Sequence, residues 1–139
     1  MDDLHAAIAD FLRRQRPGPR PDRRRPDPRP VAVREVAIYA RVATLAQGAP
    51  DTLDMQVAAC RAYAAARGDT IGLTYREVAD GLALDRPHLA ELRAAIAHGW
   101  VAAVLVTAFD RLTSDPLLLQ ALAAEWAAAG VDIVVVRAR

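Results

Sequence analysis

The sequence predicts an α/β fold, a parallel sheet with helices on both faces. From residue 34 onward, short apolar runs alternate with longer segments of helical periodicity. The helical segments open on Asp or Pro and stop on Gly. Hydrophobic residues make up 53% of the 139, enough for one sizeable core and too short a chain for two.

Each element follows from its residues. Residues 36–42 are apolar enough for a strand buried on both faces. Residues 51–66 read as a helix, with Asp51 as its cap and Gly68 as its stop. Ile71, Leu73 and Tyr75 alternate along a second strand over residues 70–78. Pro87 opens the next helix at its first turn, Leu89, Leu92 and Ile96 face inward, and Gly99 ends it. Residues 101–107 form the third strand. Asp115 and Pro116 start a helix through residue 129 that Gly130 closes, and residues 131–136 form the fourth strand. Strand–helix repetition of this kind builds a parallel sheet with right-handed crossovers.

The chain divides into three parts. Residues 1–15 read as an amphipathic helix, with Leu4, Ile8, Phe11 and Leu12 on one face. Acids lead it and arginines close it, which suits the helix dipole. Residues 16–33 read as an Arg/Pro-rich linker, since six of the nine prolines fall within 16–30 and break backbone hydrogen bonding repeatedly. Residues 34–139 are the domain proper.

A net charge of +1 hides an asymmetry. Residues 1–30 hold eight arginines against five aspartates, a balance of +3, and the remainder holds ten arginines against twelve acids, a balance of −2. The arm is basic and the body slightly acidic, unlike a body that grips a phosphate backbone alone. All 18 basic residues are Arg. The single cysteine, Cys60, excludes an internal disulfide and shares a helical stripe with Leu53, Gln56 and Val57, which points to packing. The longest apolar run, residues 99–109, is too short for a bilayer, and the acidic start is no secretory signal. The expectation is a soluble, cytoplasmic protein with no membrane association. His5, His88 and His98 lack metal-ligand spacing, and Trp100 and Trp126 suit core or helix-packing positions.

In open parallel sheets, sites form at the carboxyl ends of the strands. Two polar segments sit there, residues 41–47 after the first strand and 109–114 after the third. The stretch Tyr39-Ala-Arg-Val-Ala-Thr44 resembles the Tyr-Ala-Arg-Val-Ser-Thr of the serine recombinases, the resolvase and invertase family. Three further matches keep order and approximate spacing. They are Asp51-Thr-Leu-Asp-Met-Gln56, Ala79-Asp-Gly81 with Leu84-Asp-Arg-Pro87, and Phe109-Asp-Arg-Leu112. Four motifs in register are specific where one is not.

The resemblance implies a resolvase-like catalytic domain acting in DNA recombination by strand exchange. Cleaving a phosphodiester this way needs an in-line hydroxyl and cations around the crowded phosphorus. The family uses no metal or other cofactor, and bidentate arginines serve. Carried over by motif, Arg41, Arg86 and Arg111 are the phosphate-binding cations. Asp110 orients an arginine or assists proton transfer, and Gln47 and Gln56 hydrogen-bond around the nucleophile's loop.

Three positions depart from the family. Ala43 stands at the nucleophile's place, and a methyl group cannot attack phosphorus. Ser114 replaces a further arginine, and Asp80 replaces the serine of x-Ser-Gly. Thr44 is adjacent, but side chains alternate along a strand, so its hydroxyl is expected to aim away from the arginines. The chain ends soon after the fourth strand, so the expectation is a catalytic domain with no C-terminal DNA-binding domain.

The implied function is that of a catalytically degenerate recombinase-like domain. Its expected partners are DNA, weakly and through phosphates, or a related recombinase; its oligomeric state stays open. Two alternatives stand beside this: an active recombinase subunit using another nucleophile or chain, and a small-molecule or signalling module on a doubly wound sheet. The missing Gly-rich phosphate loop after the first strand weighs against the last.

Overall fold

The computed structural model describes residues 35–45, 51–83 and 85–137. The expected N-terminal helix and the Arg/Pro linker lie outside the described residues. The order is β1 (Glu35–Val42), α1 (Leu53–Arg67), β2 (Thr70–Val78), α2 (Pro87–Ala97), β3 (Ala103–Val106), a 3-10 turn (Phe109–Arg111), α3 (Pro116–Ala128) and β4 (Asp132–Val135). All strands are parallel, in the spatial order β2-β1-β3-β4.

Seven consecutive buried residues make β1 the central strand, and its alternation divides the core in two. Ala37 and Tyr39 face a cluster built on α2 and α3, with Leu89, Leu92, Leu122 and Trp126. Val36, Ile38 and Ala40 face α1, against Val57, Cys60 and Ala64. Burial pushes the Cys60 thiol up to about 12, so it packs as an apolar group and is not reactive at neutral pH.

The order reverses between β1 and β3. From β1 the chain crosses through α1 to β2 on one side; from β2 it crosses through α2 to β3 on the other. The loops after β1 and β3 therefore diverge to opposite faces and leave a crevice between them, which is where such sheets bind ligands.

Local signals account for the helix ends, with one correction. Asp115 caps α3, its side chain accepting from Leu117 N, and Pro116 follows at the first turn. Gly68, Gly99 and Gly130 take positive φ at the three helix stops. On α1, however, the cap is Thr52 and not Asp51: the Thr52 hydroxyl accepts from Met55 N at 3.1 Å. Asp51 is drawn instead to Arg111 and Gln56. Trp100 is the second correction. It follows Gly99, beyond the inward stripe of α2, and is 61% exposed, whereas Trp126 is fully buried. Among the described residues, no helix is long and apolar enough to cross a membrane.

The cap assignment has a measurable consequence. Thr52→Ala should cost about 1 kcal/mol of unfolding free energy, the usual worth of an N-cap, and Asp51→Ala should cost less. Urea unfolding of the two variants checks this, and the opposite ranking would return the cap to Asp51.

Candidate active site

The crevice at the carboxyl edge is an open cleft of about 430 Å³ lined by Arg41, Val42, Ala43, Thr44, Asp51, Asp80, Gly81, Leu82, Arg111 and Ser114. Residues far apart in sequence thus converge on one place, as the two polar segments require.

Arg41 is the hub. Its guanidinium is almost wholly buried, and each of its nitrogens donates to a backbone carbonyl: Nε to Arg111 at 3.0 Å, Nη1 to Ala79 at 2.9 Å and Nη2 to Asp110 at 2.6 Å. One side chain on β1 thereby ties the loop after β2 to the turn after β3. Burial, then the nearby Arg111 and Arg86 charges, push its pKa below the ordinary arginine value, an electropositive setting for an anion.

Gln56 fixes the backbone beside it. Its Oε1 accepts from Arg41 N at 3.1 Å and its Nε2 donates to Arg41 O at 3.0 Å. Gln56 thus holds the end of the strand that leads into the loop carrying position 43. Gln47 lies outside the described residues.

Arg111 reaches the cleft from the 3-10 turn. Its Nε pairs with Asp110 at 3.1 Å, and its Nη1 donates to Arg41 O at 3.0 Å and to Asp51 Oδ2 at 3.3 Å. The Asp110 carboxylate thus lies against the Arg111 guanidinium.

Arg86 has interior partners. Its Nη2 donates to the Tyr39 hydroxyl at 2.7 Å and to the Arg111 carbonyl at 3.4 Å, and its Nε lies 3.7 Å from Glu77 Oε1. Tyr39 donates to the same Glu77 oxygen at 2.5 Å. Burial, then this bond to Glu77, drive the Tyr39 pKa well above the phenolic range. Glu77 also accepts from His88 N and Leu89 N, at 2.9 and 3.1 Å. These are free N–H groups of the first turn of α2, where Arg86 supplies no side-chain cap. Glu77 is a functional support that sequence reasoning missed. Its place two residues after Tyr75, on the face that carries Leu73 and Tyr75, is the signal that was present.

Position 81 must be glycine for lack of room: an added Cβ would sit 2.1 Å from Ser114 Oγ and 3.0 Å from Arg41 Nη2. The Gly81 carbonyl accepts from Ser114 N and from the Thr113 hydroxyl, at 3.1 and 3.0 Å. Asp80 turns its Oδ1 to Leu82 N at 2.8 Å within its own loop. Ala43 and Thr44 are both exposed and both line the cleft. β1 ends at Val42 and the next residues bend, so strand alternation does not decide where the Thr44 hydroxyl points. Among the described residues, no group of three His, Cys, Asp or Glu is placed to hold a metal ion.

The profile of the family described as Resolvase, N terminal domain, matches residues 36–139. The chain belongs to the resolvase family of serine recombinases. No curated protein sequence matches it. Among solved structures, this resolvase-family domain is similar to the C-terminal catalytic domain of ISC1926 TnpA, an IS607-like serine recombinase. The two share 30% identity and superpose with a TM-score of 0.68, covering 76% of this chain and 69% of the other. It is similar also to the N-terminal catalytic domain of TP901-1 integrase, at 29% identity and a TM-score of 0.66, over 73% of this chain and 77% of that one. The C-terminal catalytic domain of IS1535 TnpA, another IS607-like serine recombinase, matches at 32% identity and a TM-score of 0.57, over 72% and 69%. The resolvase-like fold expected from sequence is therefore the fold observed.

Removing Glu77 should be costly. Glu77→Ala strands a buried guanidinium and frees two helix N–H groups, a change of about 3–5 kcal/mol for a broken buried pair. Chemical denaturation measures it, and a loss below about 1 kcal/mol, the level of an exposed pair, would show that the network carries little of the fold's stability.

Proposed function

We propose that this serine-recombinase-family domain engages DNA phosphate, or a related recombinase, without cleaving. The observation that carries the reading is Ala43: it lines the cleft together with Arg41 and Arg111, at the position the sequence resemblance gives to the nucleophilic serine. Phosphoryl transfer to protein needs a hydroxyl there.

Roles divide among the arginines. Arg111, partly exposed, is the phosphate-binding cation; Arg41 adds positive field at the cleft floor. Arg86 supports Arg111 from the interior. Asp80 brings a negative charge to the cleft wall and Ser114 offers no charge, so a transferring phosphoryl group would be poorly neutralised. Losing one transition-state donor of this kind costs about 3–4 kcal/mol, on the order of a hundred- to a thousandfold in rate.

One observation favours a second reading, a cleaving enzyme with a substitute nucleophile. Thr44 and Ser114, both hydroxyl-bearing residues, line the same cleft. Both readings meet in one assay: incubate the chain with supercoiled DNA, quench with detergent, and look for nicks and for a 5′-linked protein. Neither should form with the native chain or with Ala43→Ser, because that substitution leaves Asp80 and Ser114 in place. An adduct mapped to Thr44 or Ser114 would overturn the non-cleaving reading, and efficient nicking by Ala43→Ser would show that those departures matter little.

The linker arginines supply a sequence-independent phosphate contact. Binding to two unrelated duplexes should be weak, equal and confined to low salt. Substituting Arg23→Gln, Arg24→Gln and Arg25→Gln together should make the log–log salt slope shallower by about 2.7, from ~0.9 per phosphate contact. Fluorescence anisotropy at several salt concentrations checks this, and sequence-dependent binding that ignores the three substitutions would assign DNA reading to the folded body.

A further inference from the structure

Arg41 and Arg111 line the cleft, and Asp51 and Asp80 line it as well, so its cations do not stand alone. The two acids are placed differently. Asp80 turns its Oδ1 to Leu82 N at 2.8 Å, within its own loop. Asp51 meets an arginine instead, with its Oδ2 3.3 Å from Arg111 Nη1.

That contact bears on how Arg111 can bind an anion. A planar guanidinium grips a phosphate through two neighbouring N–H groups. One such edge is Nε with Nη2, and Asp110 holds Nε at 3.1 Å. The other is Nη1 with Nη2, and Nη1 serves both the Arg41 carbonyl and Asp51. Each edge therefore already carries a carboxylate. Asp110 shares the 3-10 turn with Arg111, its backbone carbonyl is tied to Arg41, and it is not among the cleft-lining residues. Asp51 is. An anion that reaches Arg111 from the cleft contends with Asp51.

The fold holds Asp51 lightly. Thr52 caps α1 in its place. Its bond from Gln56 Nε2 is long, 3.4 Å, and Gln56 has two shorter bonds to the Arg41 backbone. The Asp51 side chain is 52% exposed. An ion pair so open to water is worth at most about fivefold in an equilibrium constant, so an incoming anion can take its place.

We propose that Asp51 sets the charge selectivity of the cleft, competing for Arg111 and biasing it toward singly charged phosphodiesters over doubly charged phosphate monoesters. The proposal rests on the reading of Arg111 as the phosphate-binding cation. Repulsion between Asp51 and a bound ligand grows in proportion to the ligand's charge. A diester carries one negative charge; a monoester carries nearly two above its second pKa of about 6. A repulsion that weakens the diester by some factor weakens the monoester by roughly the square of that factor. An unbroken DNA strand presents diesters and a phosphorylated end presents a monoester. Asp51 thus steers the cleft toward intact backbone.

Two small probes test this, dimethyl phosphate and methyl phosphate, titrated into the full chain well above the second phosphate pKa of about 6. NMR at the backbone amide and Nε of Arg111 reads the cleft alone, apart from the arginines of the linker. Asp51→Asn keeps an oxygen for Gln56 and removes the charge. It should tighten dimethyl phosphate about threefold and methyl phosphate about tenfold. Asp54→Asn removes the same charge from an exposed place on α1 that does not line the cleft, and should change either affinity by less than about twofold. Arg111→Gln, followed at the Arg41 amide, should abolish binding of both esters and erase the gain from Asp51→Asn. Binding that persists in Arg111→Gln would sink the phosphate-site reading, and the inference with it. Binding that needs Arg111 but gains no more from Asp51→Asn than from Asp54→Asn, or gains equally for both esters, would leave that reading standing and overturn the inference.

Discussion

The guanidinium of Arg41 holds the carboxyl edge of this sheet together. In a doubly wound sheet the loops at the switch point are pulled toward opposite faces, and nothing in the strand ladder binds them to each other. Arg41 does so by giving hydrogen bonds to Ala79, Asp110 and Arg111, on loops after two different strands. A buried arginine normally demands a carboxylate; here carbonyl dipoles take the charge. The loops gain their shape from these contacts.

A second buried cation stands behind the first. Arg86 shares the Arg111 carbonyl with Arg41 and balances its charge on Glu77. Glu77 in turn reaches the start of α2. Strand β2, helix α2 and the turn carrying Arg111 are thus linked through polar groups that solvent barely touches.

Much of the architecture was legible in the sequence, because parallel strands buried on both faces read as unbroken apolar runs and the helix stops are glycines at positive φ. The second strand agrees end for end, and the others differ by a residue or two at their frayed ends. The convergence of Arg41, Gln56, Asp110 and Arg111 was legible too, from motif order. Other features were not. Asp51 looks as good a cap as Thr52 until a distant arginine competes for it. Glu77 falls on the face of its strand that carries Leu73 and Tyr75, a place for a charge that only the acceptor need of α2 explains. Thr44 follows a strand that has ended, so alternation does not fix its direction. For Asp51 and Glu77, a partner far along the chain settled what local pattern left open.

The pair of hydrogen bonds between the Gln56 amide and the backbone of Arg41 imitates one rung of a sheet. A side chain borrowed from a helix stands in for a neighbouring strand and sets the direction in which the chain leaves β1. That direction is settled two residues before position 43, so the side chain there supports nothing. The scaffold and the reacting group are separable: a hydroxyl or a methyl at position 43 rides on the same backbone at little cost to folding. A fold built this way can change the group at position 43 without disturbing the backbone that carries it.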